Sequence, residues 1–144
     1  MAARQEAALE LVLSLHRLLR SLRRASPTGG LQPTQLIVLS QLTEAGPSRI
    51  GVIAERVPCS QPTATAVVAE LESLGLVRRE PDPTDGRATR VAVTEEGAGA
   101  LRGVAYGEAE ALLERLGSLP PQDAARLLEA GPLLRLLAET RGTG

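Results

Sequence analysis

Four arginines, Arg78, Arg79, Arg87 and Arg90, flank or close the turn-rich stretch Pro81-Asp82-Pro83-Thr84-Asp85-Gly86-Arg87. A guanidinium at the tip of an exposed hairpin suits phosphate oxygens and the negative potential of a narrow DNA minor groove, which it senses without a unique base pattern. Arg87, and after it Arg90, are the sharpest candidates for that contact. A second set, Ser60, Gln61, Thr63 and Thr65, opens a segment of helical periodicity, where hydroxyl and amide side chains can meet phosphates and base edges. Cys59 stands beside that helix start, where a thiol can have a lowered pKa and be oxidised close to bound DNA; the other reading is a small half-buried residue. His16, between Leu15 and Arg17, is either a packed or solvent-touching residue or part of the lining of a pocket for a small effector.

The same inventory excludes much. One His and one Cys rule out an internal disulfide and a structural zinc site built within the chain, so no metal or cofactor is expected. No G-x-S-x-G, phosphate-loop or dinucleotide pattern occurs, and catalysis would rest on scattered carboxylates, so an enzyme is not expected. Tyr106 is the only aromatic residue, which removes base stacking as a binding mode and leaves the core to Leu, Val, Ile and Ala. The formal net charge of −1 confines any nucleic-acid site to a local patch. A chain of 144 residues fits one globular domain. With no apolar run near the roughly 20 residues of a membrane span and no signal segment, the expected location is the cytoplasm, away from any membrane.

These residues need elements to position them. Residues 6–24 carry two apolar rows at helical spacing, one through Leu9, Val12, His16 and Leu19 and one through Leu11, Leu15, Leu18 and Leu22, so this helix has more than one partner. After the loop Ser26-Pro27-Thr28-Gly29-Gly30, Pro33 opens a second helix with Leu36, Ile37, Leu39 and Leu42 facing inward, ending near Gly46. Ser48 is placed to cap a third helix over 49–56. A tight turn leads to a fourth that starts at Ser60 and ends at Gly75, with Ala64, Val67, Val68, Leu71 and Leu74 as its inward stripe. Segments 76–80 and 89–93 read as a hairpin, Thr94 caps a fifth helix whose strongest apolar group is Leu112, Leu113 and Leu116, and Pro120-Pro121 opens a sixth. Gly131-Pro132 should kink or break that last helix.

Two short helices at a tight turn, followed by an arginine-tipped hairpin, place one helix in a DNA major groove and the hairpin beside it. The fold class is therefore mainly α with a small β-hairpin wing, a winged helix-turn-helix. Residues 31–97 closely resemble the MarR (multiple antibiotic resistance regulator) family of bacterial repressors. The resemblance rests on Thr34-Gln35, on Ser60, Pro62, Thr63 and Thr65, on Leu71 and Gly75-Leu76-Val77 with Arg79, and on Asp85-Gly86-Arg87 followed by Val91-Ala92-Val93-Thr94 and Gly97. It implies a homodimer held by helices in 1–25 and 98–141, with a DNA-binding lobe over 31–97 in a single domain spanning 1–144. It also implies two recognition helices in successive major grooves of a pseudo-palindromic double-stranded operator, and release by a small aromatic or phenolic effector. The residues it assigns to DNA are Ser60, Gln61, Thr63 and Thr65 on the recognition helix and Arg79, Asp85, Arg87 and Arg90 on the wing, with Asp85 orienting the wing by pairing with an arginine.

The chain departs from that pattern where many members carry Arg or Lys after Thr65 and again three residues later; here stand Ala66 and Ala69, and the recognition helix holds no positive charge. The peroxide-sensing members usually keep their cysteine in the first helix, where this chain has none. Two other readings therefore stand beside the repressor: a winged-helix protein-interaction module without operator binding, and a redox-responsive regulator using Cys59. Arginines at an exposed wing tip argue for DNA, since a scaffold has no need of them. The leucine rows of the first, fifth and sixth helices exceed what a small lobe can cover, and burying them against a second copy accounts for them.

Overall fold

A computed structural model describes residues 2–140. The N-terminal rows form one helix, α1 (Ala2–Ala25), and go separate ways: Leu15 and Leu18 are half-buried and Leu22 is buried, whereas Leu9, Leu11, Val12 and Leu19 stay exposed. The Ser26 hydroxyl closes the helix by donating to the Leu22 carbonyl (2.7 Å). Beyond the loop, α2 (Pro33–Ala45) begins with a local lock, in which the Gln32 N–H donates to Gln35 Oε1 (2.8 Å) while Gln35 Nε2 donates to Glu70 Oε2 (2.9 Å) on a later helix. The buried face of α2 is Leu36, Val38, Leu39 and Leu42; Ile37 points outward, contrary to the sequence expectation, because Val38 takes the inward position next to Leu39.

Ser48 does not cap the third helix. It forms an isolated antiparallel bridge with Val91, each N–H donating to the other's carbonyl (3.0 and 2.8 Å), and its hydroxyl donates to Gly46 O. Helix α3 (Ile50–Arg56) then starts from an extended Arg49 with no side-chain cap. By contrast α4 (Gln61–Ser73) is capped by Ser60, where the helix was expected to start, its hydroxyl accepting from Thr63 N–H (3.2 Å). It stops at Gly75, whose φ of +75° glycine adopts without steric cost. The helix ends a residue before Leu74, which is exposed rather than part of the inward stripe.

Strands β1 (Val77–Pro81) and β2 (Thr89–Val93) pair antiparallel, with Val77 opposite Val93 and Glu80 opposite Arg90. The Thr94 side chain then caps α5 (Glu95–Leu116) by accepting from Gly97 N–H (3.1 Å), and it donates to Gly75 O (2.7 Å), so one hydroxyl joins the end of the helix-turn-helix to the start of the long helix. Helices α6 (Pro121–Glu129) and α7 (Gly131–Glu139) follow, broken at Ala130 just before Gly131-Pro132.

The core lies where α2, α3, α4, α5 and the hairpin converge, on Val38, Leu39, Ile53, Ala64, Val68, Leu71, Val77 and Val91. Each fully buried Val, Leu or Ile contributes about 1.5–3 kcal/mol relative to exposure, so this aliphatic set holds the lobe together without a large ring. Helices α6 and α7 bury nothing within the protomer: Leu127, Leu128, Leu133, Leu134, Leu136 and Leu137 are between 41% and 69% exposed.

At Gly97 a Cβ would overlap the Leu76 carbonyl oxygen, which already accepts from Thr94 N–H (3.1 Å). Backbone cannot yield as a flexible side chain does, so Gly97→Ala should destabilise the protein by about 1–3 kcal/mol. A urea-denaturation midpoint unchanged from wild type would contradict this packing.

Candidate nucleic-acid interface

The turn between α3 and α4 is short and internally bonded, with Cys59 N–H donating to Ala54 O (2.8 Å) and the Cys59 side chain resting half-buried on the edge of the core. That placement matches the packing reading of Cys59. From the turn, α4 emerges with its N-terminal half in solvent. Ser60 Oγ donates to Thr63 Oγ1 (2.8 Å) and Thr65 Oγ1 donates to the Gln61 carbonyl (2.9 Å), while Ser60, Gln61, Thr63 and Thr65 are all exposed. The acids of α4 lie further along and are engaged, Glu70 with Gln35 and Glu72 with Arg79 Nε (3.4 Å). The free half of the helix is therefore neutral.

The wing is shaped by two aspartates with different tasks. Asp85 Oδ1 accepts from the Arg87 backbone N–H (3.1 Å) and its carbonyl accepts from Ala88 N–H (3.0 Å), an Asx-type turn that closes the tip. Among the described residues it forms no ion pair with an arginine, which corrects the expectation drawn from the family resemblance. Its carboxylate is turned back onto the backbone two residues on. Asp82 makes the pair instead: Oδ2 accepts from Arg49 Nε (2.7 Å), and Oδ1 accepts from both the Thr84 hydroxyl (2.6 Å) and the Thr84 N–H (2.8 Å). The Thr84 hydroxyl, then the Arg49 guanidinium, then the Thr84 N–H hold the Asp82 carboxyl well below the usual carboxylate range. The Arg49 pKa is raised in turn by its hydrogen bond and its charge pairing with Asp82.

Three of the four hairpin arginines have acidic partners. Glu80 accepts from its cross-strand neighbour Arg90 (2.6 Å) and lies 3.5 Å from Arg78, and Arg79 is held by Glu72. Exposed pairs of this kind contribute about 0–1 kcal/mol, so they orient the side chains more than they stabilise the fold. Arg87 is exposed and makes no ion pair among the described residues. Sequence reasoning missed Arg49 and Arg56, which with Arg90 and Asp82 line a groove of about 420 Å³ between α3 and the base of the wing. The partner of Arg49, Asp82, lies 33 residues further on, so no local signal marks it.

His16 is exposed on α1 and lines a second, open cleft of about 610 Å³ between α1 and the start of α2. Leu19, Leu31 and Leu36 supply apolar surface there, and Arg20, Arg23 and Arg24 supply positive charge. Arg23 also lies 3.7 Å from Glu108 of α5.

A helix-turn-helix pinned to an arginine-tipped hairpin defines a winged helix-turn-helix DNA-binding regulator. A profile described as the MarR family matches residues 29–88. The chain is 34% identical over 132 residues to an HTH-type transcriptional regulator of Mycobacterium tuberculosis, covering 92% of each. It superposes on a crystal structure of a putative transcriptional regulator from Pseudomonas aeruginosa with a TM-score of 0.78 at 27% identity, covering 98% of this chain and 99% of that one. It shares its fold, at 20% identity and a TM-score of 0.57 over 93% of this chain and 94% of that one, with Bordetella bronchiseptica BpsR, whose DNA binding is regulated by 6-hydroxynicotinic acid. The chain belongs to the MarR family of transcriptional regulators, and it is not an enzyme.

Because the folded Asp82 pKa is depressed, its contribution to folding is complete above the unfolded carboxylate value of about 3.9 and is lost as pH falls through the lowered folded value. Protection of the Thr84 amide from hydrogen exchange should therefore outlast the protonation of ordinary carboxylates as pH is lowered. Asp82→Ala should abolish that protection at neutral pH and weaken DNA binding while leaving the core amides of α2 and α4 protected. Unchanged Thr84 exchange in the variant would show that the clamp does not order the wing.

Proposed function

We propose that the protein is a homodimeric repressor that binds a pseudo-palindromic operator, placing α4 of each protomer in a major groove and Arg87 in the flanking minor groove. The observation that carries this reading is Arg87 itself, an exposed guanidinium without an acidic partner among the described residues, on a wing held to the helix-turn-helix by Arg49 and Asp82. Ser60, Gln61, Thr63 and Thr65 face the DNA from α4. Arg79 and Arg90, oriented by Glu72 and Glu80, lie along the wing for phosphate contact. Asp85 sets the tip by holding the Arg87 amide.

The exposed leucines of α6 and α7, with Leu9, Val12 and Leu19 of α1, support the dimer. Apolar side chains exposed in that number suit burial against a second copy. The two lobes, each covering 31–97, are then linked through helices in 1–25 and 98–141. A small aromatic or phenolic effector with an anionic group is the fitting ligand for the cleft beside His16, where it would alter the position of the lobe relative to α1. Such a regulator works where the bacterial DNA is, in the cytoplasm. One observation favours a second reading, a protein-interaction module: the exposed half of α4 carries no positive charge.

Binding to duplex DNA from upstream of the protein's own gene, followed by fluorescence anisotropy across a salt series, separates the two. The repressor reading expects sequence-preferring binding, weakened about five-fold or more by Arg87→Ala, given about 1–3 kcal/mol for an arginine contact. With few free cations per lobe, log affinity should fall with log salt less steeply than a slope of about −10, at about −0.9 per phosphate neutralised. Indifference to sequence at low salt would favour the interaction module.

A further inference from the structure

Helix α4 lacks the groups that read guanine most strongly, because no Arg or Lys stands between Gln61 and Ser73. Guanine shows the major groove two acceptors, O6 and N7, best matched by a charged fork of donors. Nor is there a free carboxylate to accept from cytosine N4, since Glu70 is held by Gln35 and Glu72 by Arg79. What the exposed face offers instead is specific. Gln61, Thr65 and Ala69 recur every four residues along one line, and Ala66, three residues before Ala69, lies beside it. Thr65 donates its hydroxyl proton to the Gln61 carbonyl (2.9 Å), which leaves its methyl, with those of the exposed Ala66 and Ala69, as the apolar groups of this face.

Resting on the operator-binding reading above, we infer that α4 selects A·T pairs in the major groove, with the Gln61 carboxamide bidentate to adenine N6 and N7 and the methyls of Thr65, Ala66 and Ala69 against thymine C5-methyl groups. Adenine presents one donor and one acceptor on that edge, the complement of a carboxamide, and thymine alone presents a methyl. The alanines are thus the specificity element. An Arg or Lys at either position would cover these methyls with a long, solvated side chain and redirect the helix toward guanine or phosphate.

Full-length protein is used to select duplexes from a random library, and affinity is then measured for the recovered duplex with each thymine replaced singly by deoxyuridine and each adenine by 7-deazaadenine. Deoxyuridine removes only the major-groove methyl and leaves the minor-groove edge seen by Arg87 unchanged. At two or more thymines in each half-site the replacement should lower affinity about three- to five-fold, the factor for one buried methyl-sized group. Ala69→Gly should shrink that difference. Gln61→Ala should remove the sensitivity to 7-deazaadenine and Gln61→Asn should restore part of it.

A selected duplex bound equally well with deoxyuridine throughout, or one with G·C pairs in both central major-groove blocks, would overturn this assignment while leaving operator binding intact. Recovery of no enriched sequence would overturn the operator reading and this inference with it.

Discussion

The geometry of this lobe depends on how the hairpin is tied to the helices. Two backbone hydrogen bonds between Ser48 and Val91 make the segment before α3 a third edge to the hairpin, and the next residue, Arg49, reaches Asp82 at the start of the wing tip. The first link fixes the base of the wing against the buried side chains of α2, since Val91 is itself in the core. The second joins the tip, already closed on itself by Asp85, to the start of α3. Without both, the distance between Arg87 and α4 would be less firmly set, and ordering the wing on binding would cost affinity.

From that constraint follows a division of labour. Three of the four hairpin arginines are engaged by Glu72 and Glu80, which leaves Arg87 as the guanidinium without an acidic partner among the described residues. In the operator complex proposed above, the neutral face of α4 would meet base edges with little help from counterion release. A half-site read in that way would be weak, and joining two in the proposed dimer would raise the effective concentration of the second contact. The leucine-rich surfaces of α1, α6 and α7 lie on elements outside the helix-turn-helix and the wing, which leaves α4 free for DNA.

How much of this was legible in the residues depends on the range of the interaction. Ser60, Gly75 and Thr94 were readable as start, stop and cap because each acts on backbone within a few positions of itself. The hairpin was readable from its β-branched strands and its turn residues, and the winged helix-turn-helix from the order of those pieces. Ser48 misled for the opposite reason: a serine before a helix resembles a cap, but its backbone is taken by Val91, 43 positions on in the sequence numbering. Asp82 and Arg49 were invisible in the same way, and the role given to Asp85 belongs to a neighbour three residues earlier. Ile37 and Leu74 were misplaced because the inward stripe shifts where a helix begins or stops. The exposed apolar surface of α6 and α7 is written plainly in their leucines, but no described residue of the chain covers it.

The most direct test is a hydroxyl-radical footprint of the full-length protein on its selected duplex. The account predicts a two-fold symmetric pattern: two protected blocks whose centres lie about one helical turn, 10–10.5 base pairs, apart, with weaker minor-groove protection on their outer flanks that disappears in Arg87→Ala. A single asymmetric block, or protection unchanged by that substitution, would contradict a dimer that reads DNA with α4 and its wing.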